Sequence, residues 1–218
     1  MAKHKNSGFV VVIKILNKCN IERTFTKMKE EYSELSIMKQ VCRGQALNML
    51  ELVDSFEDNE FQYAVTKHIP DGDLHRYVLK NWRYCPVPEK VTKMIMKQIV
   101  KAIAQLHERN ILHRDIKEAN ILVSKHGSKL KVLLADFGIA SQLPSKFATL
   151  LHPIGTTGYV PPEMLQHKRY GLPADIWSLG ALMYSLLAMK CPFSARDEAT
   201  IKKRVVNEPL DLESESLL

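Results

Sequence analysis

The chain has 218 residues, of which 45% are hydrophobic and 25% charged, and its formal net charge is +7. This composition is typical of globular proteins, excludes disordered and low-complexity classes, and suits one domain or a two-lobed unit. The longest uncharged apolar stretch, 176–189, is shorter than the roughly 20 residues needed to span a membrane. The sequence therefore predicts no membrane span, and without a signal-peptide core we expect an intracellular protein, cytoplasmic or nuclear.

The basic charge permits electrostatic attraction to nucleic acid or to anionic membranes. The lysines are scattered along the chain, however, and no nucleic-acid-binding motif is present. We therefore predict no specific nucleic-acid partner and keep nucleic-acid binding as a minor hypothesis. The four cysteines are far apart, without the spacing of a zinc site or a redox pair.

The first third of the chain predicts short strands around one helix. The β-branched run 9–16 is typical of a strand, and the charged stretch 22–41 carries an apolar stripe at helical spacing. Apolar runs at 50–56 and 61–66 predict two further strands joined by a turn. The Pro-Asp-Gly-Asp cluster at 70–73 then interrupts the pattern and marks the natural boundary between two parts.

Beyond that boundary the sequence is mainly helical. Helical periodicity and apolar runs predict helices at 74–80, 89–109, 175–189 and 197–206. Two short apolar runs between positions 121 and 134 flank a turn and predict a hairpin. We therefore predict an α+β fold, with a small β-rich lobe over residues 1–69 and a larger, mainly helical lobe over residues 70–218.

Two polar motifs flank the predicted hairpin. The sequence HRDIKEAN occupies positions 113–120, and DFG occupies positions 136–138. Phosphoryl transfer requires cations that neutralise phosphate charge, oxygen ligands for magnesium and a group that orients the attacking hydroxyl, and these motifs supply each type. Taken alone, DFG is more often a turn with a buried aromatic residue, and a lone histidine such as His113 is more often packed in a core.

Five motifs occur in an order that is difficult to attribute to coincidence. They are VVIK at 11–14, HRDIKEAN at 113–120, DFG at 136–138, GTTGYVPPE at 155–163 and DIWSLG at 175–180. With them the chain resembles the eukaryotic protein kinase family over nearly its whole length, which implies a two-lobed kinase fold. Lys117 and Thr156 resemble the serine/threonine class, and the segment that follows Gly171 is similar to polo-like or calcium/calmodulin-dependent kinases.

The resemblance implies a protein serine/threonine kinase that uses ATP and Mg²⁺ and acts on protein substrates. Asp115 would accept or orient the proton of the substrate hydroxyl, and Lys117 would neutralise charge on the transferred phosphoryl group. Asn120 and Asp136 would hold the magnesium through oxygen atoms. Beyond marking the class, Thr156 is expected to be structural.

The resemblance also implies a nucleotide site between the two lobes. Lys14, held by an ion pair with Glu34, would grip the α- and β-phosphates. The adenine would lie between Val12 and Leu122. The other residues expected around the nucleotide are the gatekeeper Thr66, Lys67 and Ile69 through their main chain, Asp73 near the ribose, and Asp136.

Arg114, which precedes Asp115, suggests regulation by phosphorylation, since kinases with this arginine often use it to clamp a phosphorylated activation segment. Candidate acceptors are Ser145 and Thr149. The match is imperfect, because His152 stands where many relatives carry the phosphothreonine. The alternative is that Ser145 and Thr149 are ordinary loop residues, and the sequence leaves this open.

The chain departs from the family pattern at both ends. Only Gly8 lies ahead of Lys14, where the family has a glycine-rich loop, so we expect a truncated small lobe whose sheet has an unpaired edge. After the predicted helix at 197–206, the last helices of the family have no counterpart. The alternative function is therefore a catalytically weak or inactive kinase-like protein that binds or inhibits a partner kinase or a regulatory protein.

Overall fold

A computed structural model describes residues 1–3, 8–19, 34–43, 47–83 and 85–210 of the chain. The strands within those residues are β1 Ala2–Lys3, β2 Val10–Asn17, β3 Leu52–Glu57, β4 Phe61–Lys67, β5 Ile111–Leu112, β6 Ile121–His126, β7 Lys129–Leu134 and β8 Ser141–Gln142. The helices are α1 Glu34–Arg43, α2 Leu74–Trp82, α3 Glu89–Glu108, α4 Pro162–Leu165, α5 Pro173–Ala188 and α6 Glu198–Asn207, and Glu118–Asn120 forms a 3-10 turn. The predicted α+β class is confirmed.

The small sheet has the strand order β1-β2-β4-β3, and each neighbouring pair is antiparallel. Strand β2 pairs with β4 in continuous register, from Val11 opposite Lys67 to Asn17 opposite Phe61. Asp58 stabilises the turn between β3 and β4, because its Oδ1 atom accepts a hydrogen bond from the Phe61 amide at 2.7 Å. The three longer strands predicted from the sequence are thus confirmed.

The expectation of an unpaired edge along β2 is wrong at its first two residues. Ala2 lies opposite Val11, and Lys3 lies opposite Val10, so the short strand β1 pairs with this edge. The segment that returns to β2 includes Gly8 with a φ of 69°, a left-handed conformation that glycine adopts without steric cost. Strand β1 was not predicted, because a two-residue strand carries no detectable alternation.

Helix α1 corresponds to the second half of the helix predicted at 22–41, and residues 22–33 lie outside the described residues. Its residues Ile37, Met38 and Val41 are spaced to share one face and are buried in the main core. This packing places the first residue of α1, Glu34, beside the sheet, where it is also buried.

Helix α3 is central to the larger lobe, and its buried apolar residues recur every three or four positions. They are Ile95, Ile99, Ala102, Ile103 and Leu106. The helix packs against β7 and α5. The helices predicted at 74–80, 89–109, 175–189 and 197–206 are confirmed as α2, α3, α5 and α6, whereas the four-residue helix α4 was not predicted.

The predicted hairpin is confirmed as β6 and β7, which pair from Ile121 opposite Leu134 to His126 opposite Lys129. The pairing also determines where the flanking motifs lie. The Ala135 amide donates a 2.8 Å hydrogen bond to the Asn120 carbonyl, so the residues just before β6 and just after β7 are held side by side.

An apolar column joins the two lobes behind this hairpin. Phe137 is buried in the same cluster as Met38, with Leu52 packed against it, and its ring lies edge-on to His113 at a centroid distance of 5.4 Å. Among the described residues, no helix is long and apolar enough to cross a membrane.

Candidate active site

Three polar side chains surround the Asp115 carboxylate: Lys117 and Asn120 from the loop between β5 and β6, and Thr156 from a segment further along the chain. Lys117 Nζ lies 2.8 Å from Asp115 Oδ2. Asn120 Nδ2 donates to Asp115 Oδ2 at 2.6 Å and to the Asp115 carbonyl at 2.8 Å. The Thr156 hydroxyl donates to Asp115 Oδ1 at 2.6 Å. Because both carboxylate oxygens accept bonds from fixed donors, Asp115 is held in one orientation.

Thr156 has a larger part in this network than the sequence analysis gave it. Its hydroxyl donates to Asp115 and also accepts a 2.6 Å hydrogen bond from Lys117 Nζ. Thr156 therefore does more than the predicted structural role implies. It joins the activation segment, which runs from DFG at 136–138 to PPE at 161–163, directly to the two residues expected to act on the phosphoryl group. Its place at the start of the GTTGY run was the only signal in the sequence.

Lys14 forms the second centre of the site. Its Nζ atom lies 2.8 Å from Glu34 Oε1, which is on α1, and 2.6 Å from Asp136 Oδ1. The predicted ion pair with Glu34 is thus present, and the Glu34 residue is only 2% exposed. Strand β2, helix α1 and the DFG segment therefore meet at this cation.

The opposite charges of Lys14 and Asp136 stabilise each other. Burial alone would lower the pKa of Lys14, but the carboxylates of Glu34 and Asp136 outweigh that effect and raise the pKa above its ordinary value. Burial would raise the pKa of Asp136, but the hydrogen bond and charge of Lys14 outweigh it and lower the pKa. Lys14 and Asp136 are therefore both ionised at neutral pH.

Gly138 makes the approach of these two side chains possible. Its amide donates to Asp136 Oδ1 at 3.2 Å. A Cβ atom at this position would lie 2.9 Å from Asp136 Oδ1 and 3.4 Å from Lys14 Nζ. Asp136 itself has a φ of 59°, so the DFG segment turns sharply and directs the carboxylate towards Lys14.

The remaining oxygen atoms suit a magnesium ion. Asn120 makes its hydrogen bonds through Nδ2, and Asp136 accepts its hydrogen bonds through Oδ1. Among the described residues, no hydrogen bond uses Asn120 Oδ1 or Asp136 Oδ2. Amide and carboxylate oxygens are ligands that Mg²⁺ prefers. No group of three or more histidine, cysteine, aspartate or glutamate side chains in the described segments could hold a metal.

The residues predicted around the adenine lie on one face of the small sheet and at the junction of the lobes. Val12 lies opposite Thr66 in the register of β2 and β4, and Lys14 lies opposite Ala64. Directly opposed residues share a face of an antiparallel sheet. Val12 and the buried Thr66 therefore belong to the face that carries Lys14.

Lys67 ends β4, and Ile69 follows it in the connection to the larger lobe. Asp73 caps helix α2, since its Oδ1 atom accepts from the Arg76 amide at 2.8 Å. Asp73 also forms an isolated bridge with Leu122, which brings Leu122 to the same junction. The ribose contact of Asp73 and the adenine contacts of Val12, Lys67, Ile69 and Leu122 stay predictions.

Asp175 holds the backbone of the catalytic loop, which is the segment 113–120 between β5 and β6. This carboxylate is fully buried at the start of α5. It accepts hydrogen bonds from the amides of His113 and Arg114, both at 2.9 Å, and lies 2.9 Å from His107 Nε2. The loop that presents Asp115 is therefore attached to two helices of the larger lobe.

His113 completes the support for this loop as a neutral side chain. Its Nδ1 atom accepts from the Asp115 amide at 3.3 Å, so Nε2 carries the hydrogen and donates to the Ala135 carbonyl at 3.3 Å. Burial lowers the pKa of His113. The residue thus links the loop before β6 to the residue after β7, and packing is its role, as the sequence suggested.

The activation segment is attached to the larger lobe at several points. Arg114 Nε donates to the Ile139 carbonyl at 2.6 Å. Ser145 and Thr149 are both exposed. Arg169 Nη1 donates a 3.3 Å hydrogen bond to the Thr149 hydroxyl, so a cation is adjacent to one of the two candidate acceptors. Phosphorylation of Ser145 and Thr149 stays a prediction.

A small β-rich lobe and a larger helical lobe, with a lysine, two aspartates and an asparagine brought together by both, are the architecture of the protein kinase class. The chain belongs to the protein kinase domain family, whose model matches residues 1–216. The family predicted from the sequence is thus confirmed.

Relatives of the chain include serine/threonine-protein kinases. The chain is 34% identical over 201 residues to the serine/threonine-protein kinase PLK4 of Drosophila melanogaster, covering 91% of this chain and 25% of the relative. It is 35% identical over 159 residues to PLK4 of Drosophila virilis, covering 73% and 20%. It is 32% identical over 215 residues to the mitosis inducer protein kinase cdr1 of Schizosaccharomyces pombe, covering 98% and 33%. The chain spans a fifth to a third of the length of these relatives.

Proposed function

We propose that this chain transfers the γ-phosphate of ATP to serine or threonine hydroxyls of protein substrates. The observation that carries the proposal is the Asp115 carboxylate, which Lys117 and Asn120 hold from the same loop and Thr156 holds from a distant segment. Membership of the protein kinase family and the serine/threonine kinases among its relatives support it.

The proposed roles follow from the charges and their geometry. Asp115 carries a negative charge and accepts hydrogen bonds through both oxygens, so it orients the substrate hydroxyl and receives its proton. Lys117, 2.8 Å from Asp115, stabilises the negative charge that develops on the transferred phosphoryl group. Thr156 keeps these two side chains in register because its hydroxyl bonds to both.

The nucleotide side of the proposed site uses the second cluster. Lys14, oriented by Glu34, binds the α- and β-phosphates, while Val12, Leu122 and the connection between the lobes receive the adenine. Asn120 and Asp136 hold Mg²⁺ through the oxygens that the hydrogen bonds leave available. When bound, the ion neutralises charge on the phosphates.

We also propose the division into lobes at residues 69 and 70. Strands β1 to β4 and α1 support it because they lie before this point, whereas helices α2 to α6 lie after it.

An intracellular location, cytoplasmic or nuclear, follows from the proposed use of ATP. The alternative, an inactive kinase-like binding partner, is not favoured by any contact of the site.

The Lys14→Met variant tests the nucleotide side. It removes the cation that pairs with both Glu34 and Asp136 and that we propose binds the phosphates. We expect ATP·Mg²⁺ to bind at least about tenfold more weakly, as the loss of a charge-assisted bond to phosphate predicts. The measurement is the thermal shift produced by ATP·Mg²⁺ across a concentration series.

The matched control is Lys18→Met. Lys18 lies just beyond the end of the same strand and pairs with the exposed Glu57 at 3.2 Å, away from the site. It should leave the thermal shift at the wild-type value. An equal loss of binding in both variants, or none in Lys14→Met, would contradict the assignment.

A further inference from the structure

Glu118 is a buried acidic residue to which the sequence analysis gave no role. It lies in the 3-10 turn of the catalytic loop, between Lys117 and Asn120, and is 7% exposed. The Tyr159 hydroxyl donates a hydrogen bond to its Oε2 atom, and the Ser185 hydroxyl donates one to its Oε1 atom. Both carboxylate oxygens are therefore engaged by neutral donors.

These contacts join three separate segments. Glu118 belongs to the catalytic loop, Tyr159 to the end of the activation segment, and Ser185 to helix α5. The donors are 41 and 67 residues from Glu118 along the sequence. One side chain therefore holds the activation segment and α5 against the loop that presents Asp115.

The contact with Tyr159 also connects Glu118 to Asp115 and Lys117 through a chain of hydrogen bonds. The Tyr159 amide donates to the Thr156 carbonyl at 3.0 Å. Thr156 in turn bonds to Asp115 and Lys117 through its hydroxyl. A displacement of Tyr159 would thus be transmitted to the turn that places the Thr156 hydroxyl.

The carboxylate is unusual as a merely structural group. None of the ion pairs found among the described residues involves Glu118, although its side chain is buried. Burial and the charge of Glu118 raise the pKa of Tyr159 far above its ordinary value, so Tyr159 keeps its proton as a donor. A buried charge without a cation is costly, and apolar residues pack such a position at least as well.

We infer that Glu118 is a positioning residue for the proposed phosphoryl transfer. Through Tyr159 it fixes the Thr156 turn against Asp115, and thereby aligns the protein-substrate side of the site without contributing to nucleotide binding. The inference rests on the proposed function. Its distinctive consequence is that loss of Glu118 affects the peptide substrate and spares ATP.

The test compares Glu118→Ala, Glu118→Gln and Tyr159→Phe in steady-state transfer to a serine-containing peptide. We expect Glu118→Ala to lower kcat/KM for the peptide by about 10- to 100-fold, as small misplacements of reacting groups do, with the ATP·Mg²⁺ thermal shift unchanged. A glutamine can accept a hydrogen bond from one of the two hydroxyls, those of Tyr159 and Ser185, and donate one to the other. Glu118→Gln should therefore recover most of the rate. Glu118→Ala combined with Tyr159→Phe should be no worse than Glu118→Ala alone.

Tyr63→Phe is the matched control, because the Tyr63 hydroxyl also donates to a carboxylate, Asp58 Oδ2 at 2.8 Å, but in the small lobe. It should leave kcat/KM at the wild-type value. An unchanged kcat/KM in Glu118→Ala, or an equal loss of peptide turnover and ATP binding, would overturn the inference.

Amide hydrogen exchange separates this inference from the proposed function. If the wild type transfers no phosphate, residues 155–160 should still exchange faster in Glu118→Ala than in the wild type, because their anchor is lost. Unchanged exchange in that segment would overturn the inference whatever the activity of the protein.

Discussion

The Asp115→Asn variant is expected to lower kcat by about 10²- to 10⁴-fold, the usual contribution of a positioned general base. Asparagine keeps the size of the side chain but removes the charge that attracts Lys117 and the basic oxygen that receives a proton. The melting temperature should stay close to that of the wild type, because Asn120 can still donate to the Asp115 backbone carbonyl. Peptide phosphorylation and thermal unfolding, measured on the same preparation, check both statements.

Asp58→Asn is a suitable control for this experiment. Asp58 accepts hydrogen bonds in an exposed turn of the small lobe, where asparagine can also accept. Its variant should retain wild-type turnover. An Asp115→Asn protein with unchanged kcat would contradict the role of Asp115 and would point to a contaminating kinase.

The Asp175→Ala variant is expected to cause the largest loss of stability. It removes the acceptor of the buried His113 and Arg114 amides and the partner of His107. Each buried donor left without a partner costs about 1–3 kcal/mol, so the free energy of unfolding should fall by about 2–6 kcal/mol. Urea denaturation monitored by circular dichroism measures this change.

Asp197→Ala provides the comparison on the surface. Asp197 caps helix α6 by accepting from the Thr200 amide at 2.9 Å, and loss of such a cap costs about 1 kcal/mol. If Asp175→Ala destabilised the protein no more than Asp197→Ala, the buried carboxylate would not be the anchor of the catalytic loop.

Much of the fold follows from local sequence patterns. The β-branched residues of β2 and the regular apolar spacing of α3 predict those elements because each buries one face against the core. Strand β1 could not be predicted in this way, since its two residues are held by pairing with Val10 and Val11 and carry no pattern of their own. Helix α4, with four residues, is likewise too short for periodicity to indicate it.

Some residues of the site could also be predicted from the sequence, whereas others could not. The order of the motifs predicts Lys14, Asp115 and Asp136, because each is part of a spacing that has chemical meaning. The roles of Thr156 and Glu118 depend instead on hydrogen bonds between side chains that are 39 or more residues apart. Such contacts are fixed by tertiary packing, and one sequence contains no local trace of them.

The most direct test of the account is the transfer of the γ-phosphate of ATP to serine or threonine of a protein substrate, with magnesium present or removed. Purified wild type is compared with Asp136→Asn, which removes one proposed ligand of the ion. We predict magnesium-dependent transfer to hydroxyl residues by the wild type and its loss in the variant. A folded wild type that transfers no phosphate and shows no thermal shift with ATP·Mg²⁺ would contradict the proposed catalysis.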